Sequence, residues 1–158
     1  MKIIVIGTSL SGKTALVKYL RLHHGALSVE EMDESLTREN GGQFPADAER
    51  KHKVLAPKII QDVLQRESII FFTNTDYLTE EDLETARKGG FVVIQLSLPL
   101  EELKRRNTQR MCDEGYEDQS QWLEGMLDYQ ERIKEKGLVD NVLDASLPTE
   151  DLAYQILT

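Results

Sequence analysis

Gly7-Thr8-Ser9-Leu10-Ser11-Gly12-Lys13-Thr14 decides how this chain is read. It fits the pattern G-x-x-x-x-G-K-[ST] at every fixed position. Glycines let the backbone curl tightly, so that several N–H groups point inward at one anion. Just before it, residues 3–6 (Ile-Ile-Val-Ile) form a short run of β-branched residues, the signature of a buried parallel strand. Just after it, Leu16, Leu20 and His23 fall on one helical stripe that Gly25 ends. Strand, glycine-rich turn and helix in that order make a phosphate loop, with the helix N-terminus presented to the same phosphates. All eight residues, Gly7, Thr8, Ser9, Leu10, Ser11, Gly12, Lys13 and Thr14, are therefore expected to hold the phosphates of ATP or GTP. Lys13 reaches the β- and γ-phosphates, and the Thr14 hydroxyl ligates Mg2+.

Outward from this loop the pattern alternates. Strands are expected at residues 27–32, 68–73, 91–97 and 141–145. Helices are expected at 48–65, 79–88, 99–111, 120–136 and 149–157. Pro57 kinks or splits the first of these helices, and Thr79 with Asp82 forms a capping box for the second. Residues 33–47, polar and holding Gly41, Gly42 and Pro45, read as a loop or insert, as do the acidic residues 113–119. Trp122 falls among the apolar residues of its helix, as core or as a border of the pocket. Alternating strands and helices imply an α/β, three-layer fold with a parallel sheet, whose ligands lie beyond the carboxyl ends of the strands.

Composition narrows the function. With 158 residues and 40% hydrophobic content, the chain supports a single domain with one substantial core. A net charge of -9 disfavours general nucleic-acid binding. No run is long enough to span a membrane. One cysteine, Cys112, cannot form an internal disulfide, which fits a cytoplasmic setting, and no motif marks it as a nucleophile. His23, His24 and His52 have no metal-ligand spacing. No N-K-x-D guanine motif is present, which disfavours a switch GTPase.

In element order and length, nearly the whole chain resembles the P-loop small-molecule kinases: nucleoside and nucleotide kinases and the shikimate-kinase-like and adenylate-kinase-like enzymes. The resemblance implies a five-strand parallel sheet ordered 2-3-1-4-5. It also implies an acceptor-binding region, here residues 33–65, and an arginine-bearing lid, here 105–121. Arg106 and Arg110, four apart on one helical face, would be the lid cations that neutralise the transferred phosphoryl group. Arg110 stacking on adenine, and a solvated face paired with Glu101 and Glu102, are the other readings. Backbone after the last strand, Ala145 to Pro148, would line the adenine pocket, unless it is an ordinary turn.

On the acceptor side, the acids that end the second strand offer a base or a holder of metal-bound water, Asp33 first and Glu31 second. Arg38 and Arg50 are candidates to grip an acidic acceptor. Residues 71–79 locally resemble ribosylnicotinamide kinases, which carry an Asp-Thr-Asp run here, but this chain has Asn74 in the first acid's place. An amide is neither an anion nor a base. Asp76 remains to orient a metal-bound water or an acceptor hydroxyl. The expected activity is transfer of the γ-phosphoryl group of ATP, with Mg2+, to a small acceptor, a nucleoside or nucleotide. The alternative is a P-loop NTPase or nucleotide-binding switch.

Overall fold

The computed structural model describes residues 1–75 and 77–158. Its five strands are β1 (Lys2–Gly7), β2 (Val29–Glu31), β3 (Ile69–Thr73), β4 (Val92–Ser97) and β5 (Asn141–Asp144). They form one parallel sheet in the order β2-β3-β1-β4-β5, the expected order. Register pairs Ile6 with Thr73 on one side and Gln95 on the other, so β1, β3 and β4 end level beneath the phosphate loop.

Alternation of side chains divides the core. Ile4, Ile6, Phe71 and Val93 face one layer, made by α2 (Met32–Glu39), α4 (Ala56–Leu64), α5 (Glu80–Lys88) and part of α7 (Ser120–Glu135). Ile3, Val5, Phe72, Ile94 and Leu96 face the other, made by α1 (Lys13–His23), α6 (Leu100–Glu114), α8 (Thr149–Leu157) and Leu123 of α7. Because β1 and β3 are covered on both faces, they are apolar at nearly every position.

Five local expectations change. Residues 33–47 are not all loop, since α2 occupies Met32–Glu39. Its Met32 and Leu36 are four apart and fully buried, while Asp33 and Glu34 begin it and Arg38 ends it, in keeping with the helix dipole. The helix expected at 48–65 is three pieces: α3 (Ala48–Arg50), a π-helical turn (Lys51–Leu55) and α4. Pro57 has no N–H for the carbonyl four residues back, and the turn widens so that Ala56 N–H bonds to the Lys51 carbonyl. Helix α6 runs on to Glu114, where Gly115 takes a left-handed φ of 69° and stops it. Trp122 is 56% exposed. The buried stripe of α7 runs through Leu123, Met126, Gln130 and Ile133, and Trp122 is rotated about 100° from Leu123. His23 is likewise exposed, its ring tilted 37° against that of Tyr19 with ring centres 4.3 Å apart.

Two buried polar residues of α7 position the site. Tyr129 donates its hydroxyl to the Leu78 carbonyl at 2.6 Å, tying α7 to the loop after β3. Gln130 Nε2 donates to the Leu96 carbonyl at 3.2 Å near the end of β4. Among the described residues, no helix is long and apolar enough to cross a membrane.

Candidate active site at the phosphate loop

The loop between β1 and α1 is built by its own residues. Leu10 and Gly12 take positive φ, 73° and 91°. Gly7 is required for a different reason: a Cβ there would sit 2.4 Å from Ser11 Oγ and 3.2 Å from Lys13 Cγ. Ser11 Oγ donates to the Thr8 carbonyl at 2.8 Å. The Lys13 ammonium closes the loop from inside, donating to the carbonyls of Gly7 at 2.9 Å and Thr8 at 2.8 Å. Burial pushes the Lys13 ammonium down to about 8, against the opposing attraction of Asp33 and Glu31.

Thr14 stands at the mouth of the loop and donates its hydroxyl to Glu31 Oε1 at 3.2 Å. Glu31 ends β2 and is buried. Burial raises the pKa of its carboxyl, as does neighbouring Asp33, while the Thr14 hydrogen bond and Lys13 oppose the rise. Asp33, in the first turn of α2, is exposed. The two acids thus separate: Glu31 belongs to the Thr14 corner, and Asp33 is accessible from solvent.

Asn74 has a defined place. Its Nδ2 donates to Ser9 Oγ at 3.1 Å, while its Oδ1 accepts from Thr75 N–H at 3.0 Å. The amide therefore bridges the phosphate loop to the loop after β3. Asp76 lies outside the described residues.

From the opposite side Arg106 reaches in. Its guanidinium donates to the Leu10 carbonyl at 2.9 Å and pairs with Glu102 at 3.1 Å. Glu102, which also pairs with Arg105, is held down to about 2 by these two guanidinium groups, Arg105 first. Arg110 points into a different set of contacts, pairing with Glu114 at 3.5 Å and lying 4.1 Å from the Tyr116 ring centre. Between them, buried Asn107 donates to Asp118 Oδ1 at 2.8 Å and accepts from Gln119 N–H at 2.9 Å, clasping the loop that joins α6 to α7.

Arg38 and Arg50 do not converge on the loop. Arg38 pairs with Glu30 at 3.5 Å. Arg50 is exposed at the end of α3. What the sequence reading passed over is the next residue. Lys51 Nζ lies 5.3 Å from the Phe44 ring centre and 5.9 Å from that of Tyr77, on which His52 stacks at 5.1 Å. The signal for it was the cationic run Arg50-Lys51-His52-Lys53 in an acidic chain.

After β5, Asp144 accepts from Ser146 N–H and Oγ at 2.9 and 2.6 Å, shaping the turn into α8. Ala145 is buried against the α1–α8 core, whereas Pro148 is exposed at the start of α8.

Hard oxygen donors at Thr14 and Glu31, beside a phosphate loop, suit Mg2+. No group of three or more His, Cys, Asp or Glu among the described residues is arranged to hold a metal; the pair at Thr14 fits an ion whose other ligands are phosphate oxygens and water.

No protein-family model matches the sequence, and no curated protein matches it in sequence. Solved structures do match. A shikimate kinase from Acinetobacter baumannii in complex with shikimate is 18% identical with a TM-score of 0.76, covering 99% of this chain and 90% of its own. The shikimate kinase of Aquifex aeolicus is 20% identical with a TM-score of 0.73, over 99% and 94%. A sugar kinase from a Janibacter species is 23% identical with a TM-score of 0.68, over 99% and 91%. The chain therefore has the fold of the P-loop small-molecule kinases across its whole length.

Proposed function

We propose that this chain is an ATP-dependent phosphotransferase that moves the γ-phosphoryl group to a hydroxyl of a small acceptor. The observation that carries this reading is the corner where Lys13, Thr14 and Glu31 meet, with Asp33 two residues on in the first turn of α2. Lys13 leaves the Gly7 and Thr8 carbonyls for the phosphates, which supply the same hydrogen bonds with full negative charge. Thr14 and Glu31 would hold Mg2+, which would supply neutralisation of the phosphate charge. The acceptor oxygen bonds to the γ-phosphorus as the bond to the β–γ bridging oxygen breaks. ADP takes that electron pair, and the hydroxyl proton passes to Asp33. Arg106 stabilises the phosphoryl group, with Arg110 stacking on adenine when the lid region, 105–121, closes. Ala145 and Pro148 border that base.

The acceptor lies against residues 33–65 and the loop after β3. The sequence reading favours a nucleoside or nucleotide. The solved structures of like fold are named for shikimate and sugar, which supports alcohols more broadly. A reducing, cytoplasmic setting suits an exposed lone Cys112. One observation favours the second reading, an NTPase or switch: an amide, Asn74, faces the phosphate loop where an acid would activate a metal-bound nucleophile.

ADP production from Mg-ATP tests both, with nucleosides, nucleoside monophosphates, shikimate and sugars as acceptors beside a control without any. ADP with one acceptor only is the expected result. ADP at one rate in every well, or in none, would overturn the phosphotransferase reading.

A further inference from the structure

Two buried polar groups at the ligand end of the sheet have no part in the site described so far. Among the described residues, Gln95 Oε1 and Thr75 Oγ1 are the buried side-chain atoms without a hydrogen-bond partner. Gln95 is 4% exposed and Thr75 3%. Buried oxygens are nearly always paired, because burial removes the water that would otherwise bond to them. These two lie at the same end of the fold. Thr75 is two residues beyond β3, next to the Asn74 that bridges to Ser9. Gln95 sits in β4 opposite Ile6, the residue before Gly7.

The direction of Gln95 follows from the pleat. Val93, two residues back, faces the layer of α2, α4 and α5, and so does Ile6. Gln95 shares that face, the one that carries the acceptor region. Neighbouring strands are about 4.8 Å apart, so Gln95 lies one strand over from β1, level with the start of the phosphate loop. The buried donors at this end are committed elsewhere. Thr73 Oγ1 donates to the Asn74 carbonyl at 3.0 Å, Gln130 Nε2 to the Leu96 carbonyl and the Tyr129 hydroxyl to the Leu78 carbonyl. An apolar residue, such as Ile6 and Val93 beside it, would fill this position with no bond unmet. A carboxamide here weakens the free protein unless a partner comes from outside the chain. Its three side-chain torsions let the amide swing to a small ligand while the strand stays fixed.

We propose that Gln95 is a specificity-determining residue, whose carboxamide hydrogen-bonds a hydroxyl of the acceptor other than the one phosphorylated. The acceptor is then a polyhydroxylated molecule. A hydroxyl suits the position because it both donates, to Oε1, and accepts, from Nε2. A site that pairs a substrate hydroxyl strongly rejects the analogue lacking it, whose binding leaves the amide unpaired. The proposal rests on the phosphotransferase reading for the presence of an acceptor.

Calorimetric titration of the protein loaded with Mg2+ and a non-hydrolysable ATP analogue tests it. The probes are glucose, shikimate and adenosine, each beside its derivatives lacking one hydroxyl. For a probe that binds, loss of one particular hydroxyl weakens binding to the wild type tenfold or more. The derivative still yields ADP from Mg-ATP, which separates that hydroxyl from the one phosphorylated. Gln95→Met binds probe and derivative alike and leaves the affinity for the ATP analogue unchanged. Its urea midpoint does not fall, because the oxygen removed had no partner. Gln95→Glu keeps an oxygen in the same shape and retains most of the preference. The same discrimination by wild type and Gln95→Met, or no binding by any probe, overturns the proposal. So does a lowered midpoint for Gln95→Met, the mark of a buried water already bound to the amide. The parent reading fails separately, if a probe binds with this dependence on Gln95 yet neither it nor its derivatives give ADP from Mg-ATP.

Discussion

At the scale of single residues, each group of the loop predicts a different defect. Lys13→Ala removes the one cation inside the loop and is expected to lower kcat by about 10² to 10³, measured as ADP release. Gly7→Ala drives a Cβ into Ser11 Oγ and is expected to weaken Mg-ATP binding by roughly tenfold or more, since the backbone must withdraw from the phosphates. The two acids are separable because only Glu31 contacts Thr14. Asp33→Asn should cut kcat toward an alcohol by about 10² to 10⁴ and leave the Mg2+ dependence alone. Glu31→Gln should raise the Mg2+ concentration needed for half-maximal rate. If the two variants lose the same parameter, the division of labour between base and metal holder is wrong.

Elements set where those residues point. Helix α5 is anchored by a complete capping box, with Thr79 Oγ1 accepting from Asp82 N–H at 3.1 Å and Asp82 accepting from Thr79 N–H at 3.0 Å. Thr79→Ala should cost about 1 kcal/mol, read from the urea midpoint. Tyr129→Phe strands the buried Leu78 carbonyl and should cost about 1–3 kcal/mol. Because that bond joins α7 to the loop bearing Asn74 and Tyr77, the acceptor KM should rise more than the KM for ATP. Loss of stability with both KM values unchanged would confine Tyr129 to packing. On the other flank Arg106 links α6 to the Leu10 carbonyl, which ties the helix after β4 to the phosphate loop.

For the whole molecule, the buried Lys13 ammonium couples pH to both stability and binding. Its folded value, about 8, lies below the ordinary 10.5. Between those values the unfolded chain holds more protons, so the Lys13 contribution to stability improves as pH rises through that window. Nucleotide binding runs the other way, because phosphates need the charged form. Affinity for ATP should fall as pH rises above about 8, and binding near pH 8 to 9 should take up a proton. Calorimetry in two buffers of different ionisation heat detects that uptake; an affinity flat from pH 7 to 9.5 would contradict it.

The sequence by itself determined the sheet, the phosphate loop and the stop and start of most helices. Those features depend on local conformational rules: apolar β-branched runs, glycine at special φ, capping side chains. It erred where burial was a matter of angle or of small elements, at Trp122, one position off its stripe, and at α2, too short to show a period amid polar neighbours. Four acids in five positions from Glu30 to Glu34 could not be ranked by spacing. Tertiary structure separated them, turning Glu30 to Arg66, Glu34 to Arg21 and Glu31 to Thr14. It likewise chose Arg106 over Arg110 for contact with the loop, and Lys51 over Arg38 for the aromatic frame. Such choices depend on which strand end meets which helix across dozens of residues, a distance over which no local pattern carries information.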